Sequence, residues 1–310
     1  MYGGFWYHIR HAFDHKDNGL YKIIAINLIA FLVLMVLRVF LTIGGAEELY
    51  RSIVSVFMMP ASLPRFVIQP WTLLTYMFFH EGFFHIIFNL LFLYWFGLLV
   101  QEYLGSRKLV NLYILGGIAG GLLYMVLYNI APYFSDRVDG ALMLGASAGV
   151  YAIVVAAATL RPDTQFHLLL LGPVKIKYIA IFYVLIAFAN SAGSNAGGEL
   201  AHLGGAALGY LYILQLQKGV DMGKPVQAVG LFFEKLFSQK PKVKVTYRRG
   251  SETMKTKTKG GTAPVNSGSG GSKSTQEEID RILDKIAEKG YDNLSKEEKR
   301  KLFDFSNKDV

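Results

Sequence analysis

Six apolar runs constrain the fold of this chain more than any other feature of its sequence. A helix needs about 20 mostly apolar residues to cross the hydrocarbon core of a bilayer. The fourth and fifth runs are short, which suits helices that begin or end inside a protein bundle and not in lipid. We therefore predict an all-α membrane protein built as a bundle of six transmembrane helices. The runs lie at 21–43, 82–103, 107–130, 145–160, 176–190 and 199–217.

The composition of the chain excludes an ordinary soluble protein. Hydrophobic residues make up 52% of its 310 residues and charged residues only 18%. The absence of cysteine excludes disulfides, thiol nucleophiles and Cys-metal sites. The net charge of +9 belongs mostly to the tail, because 20 of the 32 Lys and Arg residues follow Gln217. These charges stand among Gly, Ser and Thr with no interleaved pattern of aromatic residues, so we expect them to be solvated and predict no nucleic-acid partner.

The Lys and Arg residues between the spans predict how the helices are oriented. Cytoplasmic loops carry an excess of these residues. One set of helix ends holds most of them, whereas the other set holds only Arg51, Arg65 and Arg137. We therefore expect a multi-pass protein of the cell (inner) membrane with both termini in the cytoplasm. Residues 1–20 carry several His, Arg and Asp residues, so we interpret them as a cytoplasmic or interfacial segment and not as a signal peptide.

The part of the chain after the last span divides into a linker and a small helical hairpin. Residues 218–274 are basic and become rich in Gly and Ser, which predicts a flexible linker. Residues 275–310 predict two helices, the first opened by a capping box of Ser274 and Glu277 and the second by Ser295 and Glu298. We expect an accessory hairpin that docks on a cytoplasmic partner or a second copy. Its apolar positions are Ile279, Ile282, Leu283, Ile286, Leu302 and Phe303.

Four polar side chains stand at similar depth within the spans, close to the outer face. His85 and Asn89 lie in the first turns of span two, Ser147 in the first turn of span four and His202 in that of span six. Polar groups are costly in a membrane and often mark functional sites. Each also has a structural alternative: a His–Asn pair or a lone His can simply bond a neighbouring helix, and the small residues around Ser147 can form a packing seam.

The sequence HEGFFH, from His80 to His85, invites a zinc interpretation. A helical zinc motif of the HExxH type needs its two histidines four residues apart. Here the separation is five residues, which rotates the second histidine about 140° away from the first. We therefore predict no metal site and no cofactor.

The sequence GASAG at 145–149 fits the GxSxG pattern of serine hydrolases, although no strand is expected before it. Its glycines allow close backbone approach at a helix N-terminus, where free N–H groups can bind a developing oxyanion. Gly205 and Gly209 form a GxxxG pair for close packing of span six, one turn from His202. If its partner is span four, His202 meets Ser147. No Asp stands in spans two, four or six, so this reasoning permits a Ser–His dyad.

Four motifs in this order resemble the signatures of rhomboid family intramembrane serine proteases of the bacterial type. They are HIIFN at 85–89, LGSRK at 104–108, GASAG at 145–149 and AHLGGAALG at 201–209. The resemblance covers about residues 20–217. It implies a six-helix bundle, a water-filled cavity that opens outward and substrates that are transmembrane proteins in the lipid bilayer. It implies nothing about the tail.

The resemblance also implies roles for individual residues. Ser147 would be the nucleophile and His202 the general base and acid. The Ser147 backbone N–H, with His85 and Asn89, would stabilise the oxyanion. Accessory roles fall to Tyr151, His80 and Gly145, the first as the aromatic on which the histidine ring rests.

The chain departs from the family pattern at two places. Ala148 follows the serine where the family commonly has glycine, and Trp71-Thr72 stands where the family has Trp-Arg. The competing function classes are an inactive relative that binds transmembrane segments and a transporter. An inactive relative should lack Ser147 or His202, and a transporter usually shows internal repeats, which this sequence does not. Labelling by a fluorophosphonate separates these classes, since only an activated serine reacts.

Overall fold

The computed structural model describes residues 4–14, 17–168, 172–237, 273–289 and 294–306. Contacts divide the chain into two compact units, Met1–Pro241 and Lys242–Val310. The first unit contains α1 (Phe5–Arg10), α2 (Gly19–Ile43), α3 (Glu47–Ser55), β1 (Met59–Pro60), α4 (Leu63–Ile68), α5 (Thr72–Thr75), α6 (Phe83–Leu104), α7 (Ser106–Ile130), β2 (Leu142–Met143), α8 (Ser147–Leu160), β3 (Gln165–Leu168), β4 (Gly172–Lys175), α9 (Ile176–Ala189), α10 (Ala196–Gln217) and α11 (Lys224–Phe237). Short 3-10 helices follow α5 and α7, at Tyr76–Phe78 and Pro132–Arg137.

A helix lies at each of the six apolar runs, as α2, α6, α7, α8, α9 and α10. Among the described residues, α2, α6 and α7 are long and apolar enough to cross a membrane, and α8 and α9 are shorter apolar helices. Large apolar side chains remain exposed on the outer helices, such as Phe40 on α2 and Phe182 on α9. Such side chains suit contact with lipid, and the chain is a mostly helical, multi-pass membrane protein.

The prediction of an all-α fold is wrong in detail, because the loops contain two small antiparallel sheets. β1 pairs with β2, and β3 pairs with β4 between α8 and α9. Backbone groups of loops at helix ends need hydrogen-bond partners, and two extended segments satisfy each other. Strands of two to four residues are too short to show an alternating pattern in the sequence. The β1–β2 pair connects the loop before α6 to the loop that leads into α8.

At the centre of the first unit, α7, α8 and α10 pack against one another. Glycines at this contact allow the backbones of the three helices to approach closely. A Cβ added to Gly205 would overlap the carbonyl oxygen of Ala148, and one added to Gly209 would overlap that of Ala152. On α7, a Cβ at Gly120 would lie 2.5 Å from the Ala201 carbonyl oxygen and 2.6 Å from the Ala148 Cβ. Small residues of this kind let membrane helices approach at backbone distance.

The prediction that 218–274 is a flexible linker is wrong for its first part. Residues 224–237 form α11, and the turn before it is tied to α10 by Asp221. Oδ1 of Asp221 accepts hydrogen bonds from the Gly223 backbone N–H, at 2.8 Å, and the Tyr212 hydroxyl, at 3.2 Å. The lysines and Gly residues of this segment obscure apolar residues at helical spacing, from Val226 to Phe232. The rest of the predicted linker, 238–272, lies outside the described residues.

The second unit contains a hairpin of α12 (Lys273–Lys289) and α13 (Lys296–Ser306). Ile279, Ile282 and Leu294 form its buried centre, with Ile286 and Leu302 packed against it. Leu283 was predicted on the same apolar stripe but is 48% exposed, because one side of α12 meets α13 and Leu283 lies beside that contact.

Hydrogen bonds at the start of α13 form the predicted capping box. The Ser295 N–H donates to Oε2 of Glu298 at 2.7 Å, and the Glu298 N–H donates to the Ser295 hydroxyl at 3.2 Å. The other helix, α12, begins at Lys273, one residue before the predicted cap at Ser274. The side chains of Ser274, Glu277 and Phe303 lie outside the described part of the chain.

Candidate active site

A cavity of about 840 Å³ opens among α6, α8 and α10. Five residues singled out from the sequence line it: His85, Asn89, Ser147, Tyr151 and His202. They come from three helices that are distant in the sequence. The structure therefore brings the nucleophile, base and oxyanion candidates into the lining of one cavity.

Ser147 is the first residue of α8. The turn before it is held by the Gly145 N–H, which donates to the Tyr76 carbonyl at 3.0 Å, and by the β1–β2 pair. The short strand β2 thus precedes the GASAG sequence, although none was expected from the sequence. The first N–H groups of a helix have no partner inside the helix, and they carry partial positive charge. The Ser147 hydroxyl therefore sits beside backbone donors able to hold an anionic oxygen.

Gly145 makes room for His85 next to that serine. Its φ of 137° lies in a region that side chains rarely adopt. A Cβ at Gly145 would lie 3.0 Å from His85 Nε2 and 3.6 Å from Ser147 Oγ. One small residue thus separates the His85 ring from the serine hydroxyl, and any larger residue would fill that space.

Asn89 points its amide along α6. Its Nδ2 donates to the His85 carbonyl at 2.8 Å, and the residue is 7% exposed. An amide carries two hydrogens, so this bond leaves one for another acceptor. The local bond fixes the direction of Asn89 without using up its capacity to donate.

His80 packs behind His85. The two ring centroids are 5.0 Å apart, edge to face, and His80 is 2% exposed. Neither of its ring nitrogens has a hydrogen-bond partner within the described parts of the chain. His80 thus restricts the position of the His85 ring by direct contact between the two rings.

His202 is held by two contacts. Its ring stacks on Tyr151 with a centroid distance of 4.2 Å and an interplanar angle of 7°. Its Nδ1 lies 3.0 Å from Oε2 of Glu199, three residues earlier on α10. Reasoning from the sequence missed Glu199, because it searched the spans for an aspartate only. The signal was present, since a glutamate three residues before a histidine shares its helix face.

The glycines of α10 place His202 against α8. Gly205 and Gly209 lie at the contact with Ala148 and Ala152, so the face that carries His202 is the face that meets α8. The departure at Ala148 is accommodated, because Gly120 of α7 leaves space for its methyl group. Packing at the serine therefore remains close despite the extra carbon.

Trp71 and Thr72, where the chain departs a second time from the family pattern, make hydrogen bonds in the loop before α6. The Trp71 indole donates to the Val56 carbonyl at 2.9 Å, and the Thr72 hydroxyl donates to the Gln69 carbonyl at 2.6 Å. Thr72 is fully buried. Both side chains stabilise the loop and do not line the cavity as described.

Two parts of the chain match known protein families, and one of them contains most of the cavity residues. Residues 68–218 match the Rhomboid domain, and this range includes the five cavity residues singled out from the sequence. This part of the chain is similar to the rhomboid domain. Residues 272–308, which contain the hairpin, match a family of unknown function, DUF6576.

Three curated relatives of the rhomboid domain come from organelles. "RHOMBOID-like protein 12, mitochondrial" of Arabidopsis thaliana is 31% identical over 48% of this chain and 47% of its own length. "Rhomboid-like protein 16, chloroplastic" of the same plant is 28% identical, over 48% and 49%. "Rhomboid protein 1, mitochondrial" of Saccharomyces cerevisiae (strain ATCC 204508 / S288c) is 29% identical, over 50% and 44%. The chain spans about half the length of these relatives, and their names give no support to the bacterial type.

Proposed function

We propose that this chain is an intramembrane serine endopeptidase that cleaves transmembrane proteins in or near their membrane segments. One observation carries the proposal. Ser147 at the start of α8 and His202 on α10 line a single cavity, and His85 and Asn89 of α6 line the same cavity. The rhomboid domain at 68–218 supports the same activity.

The proposed chemistry begins with the Ser147 hydroxyl. Its oxygen forms a bond to the carbonyl carbon of the scissile peptide while its proton moves to Nε2 of His202. The π electrons of the carbonyl move to its oxygen, which becomes an oxyanion. When the carbonyl re-forms, the C–N bond breaks and the leaving nitrogen takes the proton from His202. A water molecule then hydrolyses the acyl-enzyme by the same steps and restores Ser147.

Three donors support the oxyanion in this scheme. The Ser147 backbone N–H is free of helical bonding, and the second hydrogen of the Asn89 amide is available. The His85 ring lies across Gly145 from the Ser147 hydroxyl. Donors held in place before the reaction stabilise developing charge without reorganising, which is usually the largest part of such catalysis.

The membrane arrangement belongs to the proposal as well. We place six spans in the cell (inner) membrane, with both termini in the cytoplasm and the cavity open to the opposite face. The distribution of Lys and Arg supports the orientation, and the exposed apolar surfaces of α2 and α9 support contact with lipid.

We also propose separate functions for the two parts of the chain. Residues 21–217 form the protease domain, and the hairpin is an accessory that docks on a cytoplasmic partner or a second copy. The exposed Leu283 supports a docking role, because it adds apolar surface that the hairpin does not cover.

The test is labelling of the full chain in detergent by a fluorophosphonate, alongside cleavage of a transmembrane reporter. We expect the chain to be labelled and the reporter to be cut, with both lost in Ser147→Ala. The control Ser52→Ala removes an exposed serine of α3 outside the cavity and should behave like the unchanged chain. An inactive binder or a transporter would give no labelling at all, and equal labelling of Ser147→Ala would exclude Ser147 as the nucleophile.

A further inference from the structure

The geometry points to Glu199 as the residue that positions His202 of the proposed Ser147–His202 dyad. This inference rests on the proposed protease function and deepens it. The helix α10 places the Glu199 carboxylate against the imidazole of His202.

The contact itself determines which nitrogen carries the hydrogen. Oε2 of Glu199 lies 3.0 Å from Nδ1 of His202. A carboxylate can only accept hydrogen bonds, so Nδ1 holds the hydrogen and donates it. The lone pair of the neutral ring is then on Nε2, the nitrogen that a base needs. Glu199 therefore selects the reactive tautomer of His202.

The orientation of the ring is restrained in two independent ways. Stacking on Tyr151 fixes the plane of the ring but permits it to flip within that plane. A flipped ring would present a C–H group to the carboxylate in place of Nδ1–H, so Glu199 opposes the flip. Tyr151 is itself packed against Ala187 of α9 and Ala206 of α10. Neither restraint alone would hold Nε2 in one place.

Burial gives the contact its strength. The side chains of His202 and Glu199 are 14% and 15% exposed. When Nε2 takes the Ser147 proton, the ring becomes a cation beside an anion with little water to screen them. The proton stays on the imidazole, and the carboxylate stabilises the positive charge without taking it.

Glu199 acts through His202 and not on the substrate. The described wall of the cavity includes His202 and the neighbouring Gly197 and Gly198, whereas Glu199 is not part of it. Its carboxylate contacts the imidazole at Nδ1 and does not line the cavity as described. We therefore expect its loss to change the rate of reaction at Ser147 and to leave substrate binding unchanged.

A purely structural role for Glu199 makes a different prediction. The residue stands in the first turn of α10, where a negative charge interacts favourably with the helix N-terminus. That interaction would affect the stability of the fold and not the reactivity of the serine. It would also be preserved by Glu199→Asp, whose shorter side chain withdraws the carboxylate from Nδ1.

The experiment measures the rate of fluorophosphonate labelling of the full chain in detergent, with thermal unfolding of the same samples. Glu199→Gln keeps the shape and removes the charge, and we expect at least about a tenfold slower labelling, within the loss of up to about 10⁴-fold known for such a change. Glu199→Asp should also be slower. Glu102→Gln, the same change at an exposed site near the end of α6, is the control and should label like the unchanged chain.

A second comparison uses His202→Ala. A residue that works only through His202 has nothing to position once the imidazole is gone, so adding Glu199→Gln should cause no further loss. A further loss of equal size would mean an independent role and would overturn the proposal. So would labelling of folded Glu199→Gln or Glu199→Asp at the normal rate. If the unchanged chain and Ser147→Ala label alike, the proposed protease function has failed, which is distinct from failure of Glu199 alone.

Discussion

The helices within the first unit pack by close backbone contact, whereas the two helices within the C-terminal hairpin pack through large apolar side chains. At the contact of α7, α8 and α10, glycines bring backbones together, as at Gly205 and Ala148. In the hairpin, Ile279, Ile282 and Leu294 fill the space between two helices that remain apart. The ion pair between Lys285 and Glu298 lies beside them, with 2.8 Å between Nζ and Oε1.

The difference follows from the surroundings of each contact. Between membrane helices the burial of aliphatic groups brings little gain, since lipid tails are as apolar as leucine, so association relies on close packing and hydrogen bonds. For a helix pair in water, the setting proposed for the hairpin, the hydrophobic effect supplies the attraction and does not require close backbone contact. Close packing fixes the positions of side chains, which a reactive group needs. This difference supports the proposal that the chemistry takes place in the cavity beside the α7–α8–α10 contact.

The largest expected effect comes from removing the reactive groups of the cavity. Ser147→Ala and His202→Ala should each lower cleavage of a transmembrane reporter by about 10⁴-fold or more, because the two side chains act as a unit. The double variant should be no worse than either single one. The measurement is kcat/KM in detergent. Cleavage that survives in either variant would move the chemistry away from this contact.

Removing one oxyanion donor should have a smaller effect. Asn89→Ala should lower kcat by about 10- to 1000-fold and leave KM unchanged, as the loss of one preorganised donor does. Asn129→Ala is the matched control, since Asn129 on α7 makes the same bond to a carbonyl four residues earlier, at 2.7 Å. An unchanged kcat for Asn89→Ala would leave Asn89 with only its structural bond to His85.

A methyl group at the helix contact should disturb the fold itself. Gly205→Ala forces α10 away from the Ala148 carbonyl, and we expect the free energy of unfolding to fall by about 1–3 kcal/mol. Gly230→Ala, on α11, is the control because its Cβ would meet nothing within 4 Å. Thermal unfolding in detergent measures both. Equal stability of the two variants would contradict the close packing on which the comparison rests.

The hairpin should respond to pH through Glu298. Its hydrogen bonds with Lys285 and with the Ser295 N–H lower the pKa of its carboxyl from 4.5 to about 2. Because the folded pKa is depressed, the stability from this group is present above pH 4.5 and is lost as pH falls from there to about 2. The chemical shift of the Ser295 amide, measured by NMR in the full chain, should therefore change with pH around a midpoint of about 2, the pKa of Glu298.

The control variants for this titration are neighbouring glutamates. Glu298→Gln should abolish the transition at the Ser295 amide, whereas Glu297→Gln, an exposed change one residue earlier, should leave it in place. A midpoint near 4.5 in the unchanged chain would show that the hydrogen bonds at the start of α13 do not hold in solution.

The smallest effect is expected from removing the hairpin altogether. A chain that ends near residue 248 should cleave the reporter within about twofold of the full chain, because every residue that lines the cavity precedes residue 203. Both chains are compared in the same detergent. A folded but inactive truncated chain would show that the hairpin belongs to the catalytic unit.

The positions of the helices were largely predictable from the sequence. Each apolar run corresponds to a helix whose ends lie within three residues of the prediction, as for 199–217 and α10. The membrane explains why, because a span must be long, apolar and helical whatever packs against it. The strands and α11 were missed, since two to four paired residues leave no periodic signal and lysines obscured the apolar positions of α11.

The candidate catalytic residues were predicted from a different feature. Polar side chains are energetically costly within a membrane, so those that occur there often mark functional sites. The amino-acid pattern thus predicts the spans and four polar residues within them, Ser147, His202, His85 and Asn89. It does not show that they share a cavity, that Tyr151 stacks on His202 or that Glu199 contacts Nδ1, because these contacts depend on how the helices pack. Helix periodicity fixes which residues share a face, but the close approach of α10 to α8 decides what that face meets.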